Sequence, residues 1–141
     1  MADAPPLRLL AQDEADLAII SAAMQDAVAK VGDITFEPKA RRLTVAFNRY
    51  RWEAGGGARV RSALQLGGVL KFETRKIRRD APDAVLELLA VTFESGEAPG
   101  GVVTLSCAGG GDLRATVECI EAVLADVSKP WPTPRKPTHE L

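Results

Sequence analysis

Histidine is almost absent from this sequence of 141 residues. Its single histidine, His139, lies near the C-terminal end in a proline-rich stretch. Histidine is the usual general base at neutral pH and the commonest metal ligand, so Ser-His-Asp triads, Cys-His pairs and multi-histidine metal sites are excluded. We therefore expect no catalytic site of these kinds, no metal site and no cofactor, and we favour a protein that is not an enzyme.

Cysteine is scarce as well. Cys107 and Cys119 are the only two, and they form no CxxC motif for zinc binding or thiol redox chemistry. Two cysteines are too few for a disulfide scaffold. Both lie in segments that we predict to be strands, where a free cysteine acts as a small hydrophobic residue. A bridge across a hairpin, or a reactive Cys119, is the alternative.

Long apolar runs are also missing. No segment approaches the roughly 20 residues that cross a bilayer, and residues 1–6 show no basic region followed by an apolar stretch. We expect a soluble, cytoplasmic protein without membrane contact. The length predicts one globular domain over residues 1–127, and four prolines predict an extended tail over residues 128–141.

The net charge of −1 conceals a marked segregation of charge along the chain. Residues 39–79 carry 12 Lys and Arg against two acidic residues, a net charge of +10, and the rest of the chain carries −11. If the fold gathers these cations on one face, the resulting surface attracts anions or acidic proteins.

A helix is predicted over residues 13–31. Asp13 is a typical N-cap, with Asp16 three residues on. Apolar residues then recur at helical spacing as far as Val31, and Gly32 follows as a stop. The opposite face is polar, so we expect the helix to lie on a sheet by one face only.

Short antiparallel strands are predicted for most of the remaining chain. Turn residues at Glu37-Pro38-Lys39, Gly67-Gly68 and Gly109-Gly110-Gly111 indicate three hairpins. Residues 85–93 are apolar on both alternations, which predicts a central strand covered on both faces. Residues 118–127 fit both a strand and a helix, and we predict a strand that ends in a turn of helix.

These elements predict an α+β fold that is mostly antiparallel β, in which one N-terminal helix packs on a curved sheet or open barrel. A pleckstrin-homology-like arrangement is one candidate. Strands joined by short turns, with no repeated helix between them, argue against a parallel doubly wound sheet.

Basic and aromatic residues alternate in segment 48–53, a combination that binds single-stranded nucleic acid by stacking and phosphate contact. The apolar alternation of residues 43–47 is out of phase with Tyr50 and Trp52, so a bulge near Asn48 is needed for all of them to face inward. The basic side chains of this region would then share one outer surface of the sheet. The candidate anion-binding residues are Arg49, Arg51, Trp52, Arg59, Arg61, Lys71, Arg75 and Arg78. Alternatively, these side chains are merely solvated, or are neutralised by carboxylates on neighbouring strands.

Other patterns that can carry chemistry are weak. Neither glycine triplet leads from a strand into a helix N-terminus, as a phosphate-binding loop does. Gly55-Gly56-Gly57 precedes Arg59 and Arg61 and could admit a phosphate, although a loose hairpin loop is the simpler interpretation. Glu118 and Glu121 cannot share one face of a strand, so no catalytic carboxylate pair is predicted.

Three blocks of sequence resemble a known protein family. They are the segments 21–33 (SAAMQDAVAKVGD), 48–53 (NRYRWE) and 118–122 (ECIEA). In this order they resemble the small alphaproteobacterial proteins called domain of unknown function 2948, over about residues 7–131. The resemblance implies a bacterial, cytosolic, single-domain protein and assigns no activity or ligand to any residue.

The leading hypothesis is a non-enzymatic binding module whose basic surface takes an acidic protein, nucleic acid or another polyanion. The first alternative is a homo-oligomeric structural protein, in which the basic region meets the acidic flank of another copy. The second is a histidine-free enzyme, which would require an apolar cleft with converging carboxylates or arginines.

Overall fold

In the computed structural model, residues 5–54 and 57–133 are described. They form one α-helix and an antiparallel sheet of eleven strands that does not close into a barrel. The helix is α1 (Glu14–Ala23). The strands are β1 (Arg8–Ala11), β2 (Val28–Lys30), β3 (Ile34–Glu37), β4 (Arg42–Tyr50), β5 (Ala58–Leu66), β6 (Val69–Arg75), β7 (Val85–Ser95), β8 (Gly101–Cys107), β9 (Asp112–Val117), β10 (Ala122–Asp126) and β11 (Trp131–Pro132).

The order of the strands in the sheet is β1-β10-β5-β4-β2-β7-β8-β9-β6, with β3 beside β4 and β11 beside β5. The predicted mostly antiparallel fold with one helix is therefore confirmed. The core lies between the sheet and α1, which contacts β7 and β1. None of the described residues belongs to a helix long and apolar enough to cross a membrane.

The helix is shorter than predicted. Asp13 caps its N-terminus as expected, since its Oδ1 accepts a hydrogen bond of 2.8 Å from the backbone N–H of Asp16. The helix ends at Ala23, however, and Asp26 takes a left-handed backbone conformation with φ of 63°. The following residues instead form β2, which pairs with both β4 and β7. A strand that fills the gap between two others gains ladder hydrogen bonds on both edges, and this outweighs the helical spacing of its apolar residues.

Two of the predicted hairpins are confirmed and one is wrong. The turn at Glu37-Pro38-Lys39 joins β3 to β4, and the turn at Gly109-Gly110-Gly111 joins β8 to β9. By contrast, Gly67-Gly68 leads from β5 into β6, and β6 pairs with β9 instead of β5. Gly68 has a φ of 62°, which a glycine adopts without strain, so the pair forms a corner between distant strands.

Two predictions for individual segments also need correction. β7 is not covered on both faces, because Val85 and Leu89 on one of its faces are exposed. Residues 118–127 form no turn of helix: the chain bends after β9 and continues as β10. Both cysteines are free thiols, Cys107 buried at the end of β8 and Cys119 in the bend after β9. Burial raises the pKa of the Cys107 thiol, and the neighbouring Asp112 carboxylate raises it further, which makes this cysteine less reactive.

Trp131 is held against the body of the protein by β11, which pairs in register with Arg59 and Ala58 of β5. Part of the predicted extended tail thus adds a short strand to the sheet. His139 and the glycines Gly55 and Gly56 lie outside the described residues.

Candidate functional site

The side chain of Arg49 lies inside the protein, on the core side of the sheet. β4 and β5 pair without a break from Leu43↔Leu66 to Tyr50↔Arg59, so there is no bulge at Asn48. The alternation that buries Val45 and Phe47 therefore continues to the next odd-numbered residue and buries Arg49 completely. The prediction of a bulge is wrong, and Arg49 cannot belong to an anion-binding surface.

The buried charge of Arg49 is matched by two carboxylates, in what we call the inner network (Arg49, Glu53, Ser62, Asp126). Its guanidinium donates to both oxygens of Glu53, at 2.8 and 3.0 Å, and to both oxygens of Asp126, at 2.8 and 3.1 Å. Asp126 also accepts hydrogen bonds from the Ser62 hydroxyl at 2.7 Å and from the backbone N–H of Leu7 at 2.8 Å. Paired donors and acceptors of this kind let a charged group exist in an apolar interior, so the inner network is structural.

This pairing shifts the pKa values of Arg49 and Glu53 in the inner network. Burial lowers the pKa of the Arg49 guanidinium, but hydrogen bonds to Glu53 and Asp126 outweigh burial and leave it above its usual value. Burial likewise raises the pKa of Glu53, but the hydrogen bonds and charge of Arg49, together with a backbone hydrogen bond, bring it below its usual value. Both groups are therefore held in their charged forms at neutral pH.

Arg51 and Trp52, two further candidate anion-binding residues, also pack against other parts of the protein. Arg51 is buried just before a short 3₁₀ turn, Trp52–Ala54. The indole of Trp52 packs edge-on against Tyr50 with ring centroids 4.6 Å apart, and its Nε1 donates to the backbone carbonyl of Gln25 at 3.3 Å. The alternating basic and aromatic residues of segment 48–53 thus pack within the fold and hold the end of β4 in place.

Arg59 and Arg61 remain on the outer face of the sheet, where β5 brings them together. Lys71 and Arg75 lie on β6, which is six positions away from β5 in the strand order, and Arg78 follows β6 in a loop. The eight candidate residues therefore divide into an interior group, a β5 group and a β6 group.

Most of the exposed cations of the basic segment are paired with carboxylates. Arg75 donates to Asp112 at 2.7 Å, and Lys71 lies 3.4 Å from Glu73. The remaining pairs are Arg41 with Glu118, Arg42 with Glu37, Arg61 with Asp33, and Arg78 with Asp80. The positive charge that is continuous in sequence is consequently interrupted on the surface by acidic neighbours.

One depression on the outer face retains cations beside apolar surface, and we call it the Arg61 pocket (Val28, Ala29, Lys30, Asp33, Asn48, Arg61, Val85). It measures about 440 Å³ and lies where β2 separates β4 from β7. The guanidinium of Arg61 donates to Asn48 Oδ1 at 3.1 Å and to Asp33 Oδ1 at 2.9 Å. Asp33 Oδ2 accepts from the backbone N–H of Lys30, which fixes the carboxylate in place.

Sequence reasoning identified Arg61 but missed the other polar residues of its pocket. Lys30 lies within the predicted helix and Asp33 just after its predicted stop at Gly32, and no local pattern connects either residue with Asn48. The inner network was missed as well, although the odd-numbered alternation from Leu43 to Phe47 already placed Arg49 inward.

Glu118 and Glu121 occupy a second depression, of about 390 Å³, together with Arg41 and Gly67. The bend after β9 removes the alternation that would have placed them on opposite faces of one strand, contrary to the sequence-based expectation. Glu118 is paired with Arg41. Within residues 5–54 and 57–133, no group of three or more His, Cys, Asp or Glu side chains could hold a metal ion.

Comparison with known proteins identifies the family. No curated protein and no solved structure matches the chain significantly. The sequence profile of one family, described as Protein of unknown function (DUF2948), matches residues 7–139. This match covers nearly the whole chain and confirms the resemblance carried by segments 21–33, 48–53 and 118–122. The protein therefore belongs to the DUF2948 family of proteins of unknown function.

Proposed function

We propose that this protein is a non-enzymatic binding module and that its Arg61 pocket receives an acidic side chain of a protein partner. The observation that carries the proposal is the preorientation of the Arg61 guanidinium, which Asp33 and Asn48 hold at the pocket while its side chain remains 37% exposed. A guanidinium fixed in this way binds a carboxylate with little further loss of side-chain freedom.

A second cation at the pocket, Lys30, also favours the binding of an acidic ligand. The Lys30 side chain is 61% exposed, and its contact with Asp83, at 3.8 Å, is an exposed and weak ion pair. An incoming carboxylate can replace Asp83 at small cost, because that carboxylate is itself almost fully in solvent.

The walls of the pocket favour a partner with some apolar surface. Val28, Ala29 and Val85 line it, and the Val85 side chain is strongly exposed. Sites for small ligands and side chains are concave and mostly apolar, with a few polar groups that orient the ligand. Burial of Val85 against the partner would add hydrophobic stabilisation to the charge pairing.

A protein partner suits this site better than nucleic acid does. Nucleic acids are bound along stripes of cations that neutralise several successive phosphates. Here the exposed cations lie in separate groups and most of them have carboxylate neighbours, so the surface offers a local acidic-residue site instead of a continuous track.

Fluorescence anisotropy with a labelled polyglutamate peptide tests the proposal, and single-stranded DNA serves as the competing probe. We expect the peptide to bind at low salt and to dissociate as salt is raised. Arg61→Gln should weaken peptide binding by about tenfold, the effect of losing one charge-assisted hydrogen bond. Lys30→Gln should weaken it by a smaller factor.

Two further variants sharpen this experiment. Asp33→Asn should strengthen peptide binding, because it removes the anion that competes for Arg61. Its single amide oxygen can keep the hydrogen bond from Arg61 but not also the one from the Lys30 backbone N–H. Lys39→Gln removes the same charge from the exposed β3–β4 turn and should leave binding unchanged. Absence of peptide binding at low salt, equal losses in Arg61→Gln and Lys39→Gln, or tighter binding of DNA than of peptide would overturn the proposal.

A further inference from the structure

We propose that two copies of this chain associate through their β6 strands, which pair antiparallel so that Lys71 of each copy lies opposite Glu73 of the other. This interface is separate from the Arg61 pocket and does not depend on it.

The first support is the position of β6 at an edge of the sheet. It pairs with β9 along one side, and no other described strand pairs with it. At its beginning, the backbone N–H of Val69 donates to the carbonyl of Arg41, and farther along the rings of Phe72 and Phe36 lie with their centroids 5.6 Å apart. An edge strand presents backbone N–H and C=O groups that can hydrogen bond to another strand.

The second support is the exposure of the charged residues along this edge. The Lys71 side chain is 64% exposed and the Glu73 side chain 53% exposed. Leu70 is more than half exposed, because the register with β9 shifts between Val69 and Lys71. This edge therefore combines an apolar side chain with charges of both signs.

The third support is the order of the charges, which matches itself across a two-fold axis. An antiparallel pair of β6 strands centred on Phe72 places residue 71 of each copy opposite residue 73 of the other, so both cross-strand pairs join Lys to Glu. A pair centred on Glu73 would oppose two carboxylates, and one centred on Lys71 would oppose two ammonium groups. Among these three registers, charge therefore selects the one centred on Phe72.

Association of two copies also breaks only weak contacts within each copy. Lys71 and Glu73 form an intrachain ion pair at 3.4 Å, but both are exposed and such pairs are weak. The dimer replaces one such pair in each copy with pairs that are partly shielded by the joined strands. The edge strand β1 offers no comparable match, since Arg8 is its only charged residue.

Sedimentation equilibrium of the full chain over a range of concentrations tests this interface. We expect the natural sequence to dimerise and Lys71→Glu and Glu73→Lys each to remain monomeric, because each single variant places like charges opposite one another. An equal mixture of the two variants should recover the dimer, since every cross-strand pair between them again joins Lys to Glu. The double variant Lys71→Glu/Glu73→Lys should also dimerise.

The control is Lys39→Glu, which makes the same charge change in the exposed β3–β4 turn and should dimerise as the natural sequence does. Circular dichroism should show all variants folded, because both altered side chains are exposed. The proposal is overturned if the natural sequence is monomeric at the highest soluble concentration, if the single variants dimerise with unchanged affinity, or if their mixture stays monomeric.

Discussion

Arg49 and Arg61 lie on neighbouring strands, yet they occupy opposite sides of the same sheet. Arg49 is fully buried and bonded to Glu53, Ser62 and Asp126, whereas Arg61 lies at an outer pocket with Asp33 and Asn48. Arginine thus stabilises the interior on one face of the sheet and remains accessible to solvent on the other. The pleat of the strand therefore decides whether an arginine is buried or exposed, and the density of basic residues in the sequence does not.

The largest expected effect comes from breaking the inner network. Arg49→Ala should lower the free energy of unfolding by about 3–5 kcal/mol, because it leaves two carboxylates near the core without their cation. Urea denaturation of the variant and of the natural sequence measures the difference. A loss below about 1 kcal/mol would show that the interior tolerates these carboxylates unpaired, and would remove the contrast with Arg61.

A pH-dependent loss of stability is the next largest effect. Burial raises the pKa of Glu53, but the hydrogen bonds and charge of Arg49, together with a backbone hydrogen bond, hold it below its usual 4.5. The hydrogen bond from Arg75 holds the pKa of Asp112 below its usual 3.8. As pH falls, the unfolded chain therefore takes up these protons before the folded protein does. Stability should be fully present at neutral pH and should fall from about pH 5 downward, until the folded carboxyls are protonated as well.

Urea denaturation at several pH values between neutrality and about pH 3 measures this slope. Glu53→Gln, in which residue 53 cannot ionise, should show a shallower decline than the natural sequence, and so should Asp112→Asn. An unchanged slope in Glu53→Gln would indicate that Glu53 has the same pKa in the folded and unfolded protein.

Arg61→Gln tests the stability contribution of the arginine on the outer face of the sheet. Its ion pair with Asp33 is partly exposed, so we expect the free energy of unfolding to fall by no more than about 1 kcal/mol. Urea denaturation beside Arg49→Ala gives the ratio of the two effects. A loss as large as that of Arg49→Ala would make Arg61 structural and would weaken its assignment to a binding pocket.

The smallest effect is expected at Arg78. Its contact with Asp80 is 3.9 Å long and both side chains are about four-fifths exposed. Arg78→Gln should therefore change the free energy of unfolding by less than about 0.5 kcal/mol, as surface substitutions usually do. Thermal unfolding midpoints suffice as the measurement, and a clear decrease would reveal a role for Arg78 that this long contact does not explain.

Local chemistry predicted the elements whose signals lie within a few residues. The Asp13 cap, the β3–β4 hairpin and the β8–β9 hairpin were all evident, because capping and turn formation depend on neighbouring residues. The helix end was misplaced since residues 28–30 gain strand partners from β4 and β7, which are distant in sequence. The hairpin assigned to Gly67-Gly68 was incorrect for the same reason, as β6 finds its partner in β9.

The candidate site was less accessible to prediction than the fold. Arg61 could be selected by its charge, but Asp33 and Asn48 reach it only because β3, β4 and β5 are adjacent in the sheet. Burial of Arg49 was readable from the alternation of β4, provided that no bulge was assumed.

Local sequence signals are enough to predict a mostly antiparallel fold with one N-terminal helix and a chain segment of strong positive charge. The place of that charge in the molecule depends on tertiary contacts, which bury Arg49 between two carboxylates and separate the exposed cations of β5 from those of β6. The physical reason is that strand pairing joins residues far apart in the chain, so that Asp126 reaches Arg49, Asp112 reaches Arg75 and Asp33 reaches Arg61 only in the folded sheet. Glu53, Glu73 and Asp80, by contrast, are near their cations in sequence as well.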